Sequence, residues 1–144
     1  MTSPLVEPTP PWVLADATYL SSWQLPPLDE AVPLARRLVT DACDRYAMGE
    51  LADDAALLTS EVVTNAIRHA GAPVLLQFGP HRGGVVVAVS DDSELLPTIR
   101  SVEPFGERGR GMHLVDALAV EWGVERRSAG TKTVWFHLVN TDRS

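Results

Sequence analysis

Cysteine is almost missing from this chain, and that scarcity is the first of several absences that narrow its role. Cys43 stands alone among 144 residues, which excludes an intrachain disulfide. It falls within the helical spacing of Leu34, Leu38 and Ala42, so the thiol reads as a packing residue. No apolar run approaches the ~20 residues needed to cross a bilayer. The N-terminus carries neither the basic segment nor the apolar core of a secretory signal. The expected compartment is therefore the cytoplasm, with no membrane partner. Cations are also few: 12 Lys and Arg against 19 Asp and Glu leave a net charge of −7. General nucleic-acid binding needs clustered Lys and Arg on phosphates, so direct nucleic-acid contact is not expected. The four His are scattered, and His81 and His137, in a turn and a strand, lack the spacing of a zinc site. Ser60 and Ser93 have no His and Asp arranged with them for nucleophilic catalysis.

What is present is enough apolar material for one domain with a real core. Residues 1–17, with Pro4, Pro8, Pro10 and Pro11, read as a flexible extension. Residues 18–140 form the domain, and 141–144 are a tail. Residues 19–25 read as an edge strand with Trp23 turned inward, broken by Pro26 and Pro27. Asp29 is placed to cap a helix that runs to about Met48 and ends at Gly49. A second helix follows, ending at Gly71. Residues 74–78 and 85–89 read as strands joined across His81-Arg82-Gly83-Gly84, a hairpin signal. A polar stretch over 93–108 precedes a third helix and two more strands, near 122–126 and 133–138. Trp122 and Trp135 read as core residues. Hairpins with the helices kept apart give an α+β class, a two-layer sandwich. Its mixed, mostly antiparallel sheet is covered on one face by helices.

Three segments carry chemistry. The first is residues 57–70, LLTSEVVTNAIRHA. It places Glu61, Asn65, Arg68 and His69 at spacings of four, seven and eight, which stack on one side of a helix. Leu51, Ala55, Leu58, Val62 and Ala66 form the core-facing stripe. At about 100° per residue, Asn65 falls roughly 40–80° from the centre of that stripe and Glu61 a little further round. Both border the buried face, as the wall of a polar pocket would; a solvated helix edge is the plainer alternative. The second segment is residues 85–97, where the run Val85-Val86-Val87-Ala88-Val89 ends in Asp91 and Asp92. A carboxylate there is either a turn residue or an acceptor offered to a ligand. The third is residues 106–122, where Gly109 and Gly111 precede a helical pattern of Met112, Leu114, Val115 and Leu118. Glycines at a helix N-terminus let the backbone approach an anion, and the exposed N–H groups favour phosphate.

In this order, the segments resemble the ATP-binding domain shared by DNA gyrase, the mismatch-repair ATPase, the heat-shock chaperone ATPases and the histidine kinases. Glu61 and Asn65 match its Glu-x-x-x-Asn box, Asp91 its Asp-x-Gly box, and Gly109 and Gly111 its second glycine box. Ser93 stands where that Asp-x-Gly box has its glycine. Within this superfamily the chain resembles the small anti-sigma-factor serine/threonine kinases and their actinobacterial relatives, through SEVVTNAIRHA, GRGMHLVDALAVEWGV and the closing GTKTVWFHL. The likeness spans residues 23–138. It implies ATP or ADP with Mg²⁺. Asp91 would accept from the exocyclic amine of adenine, where guanine presents a carbonyl. Ser93 keeps a hydrogen-bond donor beside it. Asn65 would hold Mg²⁺. Backbone N–H groups of Gly109, Arg110, Gly111 and Met112 would receive the phosphates, with Arg68, Arg108 and Arg110 offsetting charge in an acidic protein. His69 would touch ribose or phosphate, or else simply complement the helix C-terminus. Thr133 would touch nucleotide or else be a β-branched strand residue. Glu61 would orient or deprotonate an attacking serine hydroxyl on an anti-anti-sigma partner. The same implied partners include a sigma factor and a second copy of the chain in a homodimer. Two other readings are an ATP-binding regulator without turnover and an interaction domain that has lost nucleotide.

Overall fold

A computed structural model of the protein describes residues 21–69, 72–92, 108–126 and 131–140, with the backbone alone for residues 69 and 108–111. The described chain begins with strand β1 (Ser21–Leu25) and helix α1 (Ala31–Arg45). The buried stripe of α1 is Ala31, Ala35, Val39, Ala42 and Cys43, small residues that let a second helix approach closely. Leu34 and Leu38 pack half-buried at its margin. Asp29 does not cap this helix. Backbone carbonyls do so instead: Ala31 N–H donates to Leu28 O at 2.9 Å and Val32 N–H to Asp29 O at 3.1 Å. The exit also differs from the expected Gly49. Ala47 takes the left-handed conformation at φ 61°. Its N–H donates to Asp44 O at 3.2 Å while Met48 N–H donates to Cys43 O at 2.7 Å. That pair of bonds is a Schellman cap, built on an alanine.

A single 3₁₀ turn (Gly49–Leu51) leads into helix α2 (Ala52–His69), whose first turn carries Asp53 and Asp54 against the positive end of the helix dipole. α2 packs against α1 and lies on the following hairpin of β2 (Val74–His81) and β3 (Gly84–Asp91). The hairpin turns through Arg82 (φ 47°) and Gly83 (φ 79°), a two-residue turn with both centres left-handed. Helix α3 (Arg108–Leu118) follows and packs on α2 with Met112 and Val115 buried. Strands β4 (Glu121–Arg126) and β5 (Lys132–Val139) complete the sheet.

The strand order is β1-β2-β3-β5-β4, and every pairing is antiparallel. Side chains alternate between the two faces. Leu76, Phe78, Val85, Val87, Val89, Val134, Phe136 and Leu138 join the helices in one core. Trp23 and Trp122 pack at its edge. Burying this apolar area is the main stabilising term, at about 25 cal/mol per Å². The opposite face carries Val86, Ala88, Thr133, Trp135 and His137, all buried. The α+β reading therefore holds: two layers, with the described helices on one face of the sheet.

Candidate functional site

Helix α2 carries the first candidate segment. Glu61 and Asn65 are each half-buried, and Arg68 one further turn along is exposed. The borderline position follows from the helical stripe: Leu58, Val62 and Ala66 are almost fully buried, and Glu61 and Asn65 flank that row. A groove of about 460 Å³ runs between α1 and α2, lined by Val32, Arg36, Leu57, Ser60, Glu61 and Thr64 among others. Glu61 lines it and Asn65 does not. Ser60 turns its hydroxyl back to donate to Ala56 O at 3.0 Å, so it is engaged with its own helix.

The sheet carries the second candidate segment. Asp91 is the last residue of β3 and shares the helix-facing side with Val85, Val87 and Val89. Its side chain is 1% exposed. Across the strands its register partner is Lys132, the first residue of β5. Lys132 Nζ lies 3.7 Å from Asp91 Oδ2, and the lysine side chain is 4% exposed. Burial pushes the Lys132 ammonium below its ordinary range; the Asp91 carboxylate beside it pulls the other way, and nearby Arg126 adds to the lowering. Sequence reasoning missed Lys132. The signal available was its place two residues before the buried Val134, since period-2 alternation puts both on one face.

Thr133 corrects an expectation by the same alternation. It faces the other side of the sheet from Asp91, where its hydroxyl shares a hydrogen bond of 2.8 Å with Ser90, its register partner. A side chain so placed does not join the Asp91 wall. Trp135 and His137 lie on this far face too, and His137 Nε2 donates to His81 O at 3.0 Å with the two rings 5.4 Å apart, edge to face.

The third part of the site is the start of α3. Gly109 and Gly111 lie inside its first turn, which begins at Arg108. They had been expected just ahead of the helix. The N–H groups of the first turn of a helix have no intrahelical acceptor, so this is where an anion finds donors. Met112 is in the core, 1% exposed, and inside the helix its N–H bonds to the carbonyl one turn back, so the free donors lie ahead of it. Ser93 lies outside the described residues, as do the side chains of His69, Arg108 and Arg110. Among the described residues no group of three His, Cys, Asp or Glu side chains converges on a point that could hold a metal. Mg²⁺ usually keeps waters and phosphate oxygens and takes only one or two oxygens from protein. A lone amide such as Asn65, one helical turn from a carboxylate, fits a metal that arrives with a nucleotide. Among the described residues no helix is long and apolar enough to cross a membrane.

Comparison with known proteins agrees with the fold. Residues 25–137 match the family described as histidine kinase-like ATPase domain. Among solved structures, a chain of the SiaB-SiaC complex from Pseudomonas aeruginosa is similar, with a TM-score of 0.58 and 12% identity. The match covers 89% of this chain and 94% of that one, and at such identity it speaks for the fold alone. No curated protein matches the chain.

Proposed function

The chain belongs to the histidine kinase-like ATPase domain family, and from that premise we propose that it is an ATP-binding anti-sigma factor with serine/threonine kinase activity towards an anti-anti-sigma partner. Membership of an ATPase domain family implies ATP binding. The finer reading rests on one observation: Glu61 lines an open groove between α1 and α2, while Asn65, one turn away, does not. A carboxylate between a groove and a nucleotide site can meet a hydroxyl coming from one side and a phosphoryl group held on the other.

The roles follow from the residues. Asp91 accepts a hydrogen bond from the exocyclic amine of adenine. The first turn of α3, with Gly109 and Gly111, receives the phosphates on its N–H groups. Asn65 would hold Mg²⁺ through its amide oxygen; when bound, the metal neutralises charge between phosphates. Arg68, exposed at the end of the same wall, offsets negative charge in a protein of net charge −7. Glu61 orients the partner's serine hydroxyl and takes its proton as the serine oxygen bonds to the terminal phosphorus and the bond from that phosphorus to the bridging oxygen breaks, ADP leaving with the oxygen. General-base help of this kind is worth about 10²–10⁴-fold. The similar solved structure is of a two-protein complex, which supports looking for a protein partner. Sigma factors and their regulators work in the cytoplasm, and we assign the protein there.

The test is transfer of labelled terminal phosphate from ATP to candidate anti-anti-sigma proteins. Glu61→Ala is expected to keep ATP binding and to lose transfer by about 10²–10⁴-fold. Native protein that binds ATP and transfers to no such partner is instead a nucleotide-gated binding protein. Transfer at the native rate by Glu61→Ala removes Glu61 as the base.

A further inference from the structure

The pair of charges at the end of β3 is more elaborate than a single acceptor requires. Asp91 and Lys132 are register partners on the helix-facing side of the sheet, with Nζ and Oδ2 3.7 Å apart. The two side chains are 1% and 4% exposed. Burying two opposite charges is a poor way to gain stability, because desolvation offsets the attraction, and apolar residues of similar size do as well or better. The neighbouring positions on the same strands, Val89 and Val134, are the apolar alternative already in use. A carboxylate only accepts hydrogen bonds and an ammonium group only donates them. Held side by side, the two form an acceptor and a donor of fixed order.

Adenine presents the complementary order on its pairing edge, an amine donor next to a ring-nitrogen acceptor. Guanine presents a carbonyl and a ring N–H in those places. We propose that Lys132 is a second reader of the nucleobase, donating to the ring nitrogen beside the amine that Asp91 accepts. Adenine then satisfies both groups, and guanine in the same pose meets carbonyl with carboxylate and N–H with ammonium. Lys132 therefore sets base specificity together with Asp91. This inference rests on the adenine-nucleotide reading of the site. Burial weakens the proton's hold on Lys132 and Asp91 only partly opposes it; charged or neutral, the amine keeps N–H donors for the ring nitrogen.

Calorimetry with ADP, GDP and 1-deaza-ADP, in which the ring nitrogen is replaced by C–H, tests the assignment. Native protein is expected to bind ADP about tenfold or more tighter than 1-deaza-ADP, as for a hydrogen bond to a charged group. Lys132→Met is expected to close that gap. A buried carboxylate left alone can unfold the protein, so the neutral pair Asp91→Asn/Lys132→Met is measured beside Asp91→Asn. The gap should persist in the single variant and vanish in the double one. Equal native affinity for ADP and 1-deaza-ADP, or a gap that survives loss of the lysine, overturns the role of Lys132 while leaving Asp91 and the nucleotide reading intact. Native protein that prefers GDP, or binds neither nucleotide, overturns the adenine reading itself.

Discussion

Cys43 and Asn65 occupy two different kinds of position, and each has a measurable signature. Cys43 is fully buried. Burial, with Asp44 next to it, pushes its thiol up to about 11 from 9.0. A group raised in the folded state contributes stability that is complete below its unfolded value and is lost as pH rises through the folded one. Urea melts are therefore expected to lose stability between pH 9 and 11, and a Cys43→Ala variant should lack that component of the slope. Asn65 borders the core and stands half-exposed. Asn65→Ala is expected to leave the melting temperature nearly unchanged and to abolish the Mg²⁺-dependent part of ATP affinity. Calorimetry with and without Mg²⁺ decides it, and native titrations that look alike remove the metal role. Both positions were legible from helical spacing, because 3.6 residues per turn fixes which side chains share a face. Asp91 was legible because a carboxylate ends a β-branched run. Lys132 and Thr133 were harder. Alternation says that neighbours point to opposite faces, and only the pairing with β3 says which of them meets Asp91.

Helix ends and turns are where local sequence spoke least reliably. The Arg82-Gly83 turn was announced by two glycines in four residues, and the structure closes it as a two-residue hairpin. The end of α1 was hidden, because Gly49 is the residue that usually takes a left-handed cap, whereas Ala47 does so here. A left-handed alanine carries a penalty of roughly 1–2 kcal/mol from its Cβ. The surrounding bonds outweigh it: Met48 and Ala47 both donate back into the last turn, and Tyr46 beside them packs against the core. Ala47→Gly is therefore expected to raise stability by about 1 kcal/mol, somewhat reduced by the greater freedom of glycine in the unfolded chain. Chemical denaturation measures the change, and a loss of stability would mean that the alanine side chain contributes packing that exceeds its strain. Asp29 was misread for a related reason. A good capping residue only predicts a cap when the chain enters the helix extended, and here a turn through Leu28 to Glu30 already provides carbonyl acceptors.

At the scale of the whole molecule, the order of the strands differs from the order of the chain in one place. β4 precedes β5 in sequence yet lies outside it, paired to no other strand among the described residues. The β2–β3 hairpin can form from its own two-residue turn, whereas the contact between β3 and β5 joins residues 41 to 55 positions apart. Closing so long a loop is entropically slow compared with a hairpin. The last strands are therefore expected to reach the sheet after its first half exists, bringing Asp91 and Lys132 face to face last. Amide hydrogen exchange offers a direct reading. Val124 and its neighbours on β4 are expected to exchange faster than Val87 on β3, which has a strand on each side. Equal protection on the two strands would mean that the sheet opens as one unit. Adenine nucleotide should slow both β4 and β5, because a ligand gripping both ends of the late pairing holds the chain in its completed form. On the proposed reading, the pair that meets the base would also be a latch on folding: a nascent or partly opened chain would lack it, and a partner that recognises the nucleotide-filled protein would be spared the unfinished one.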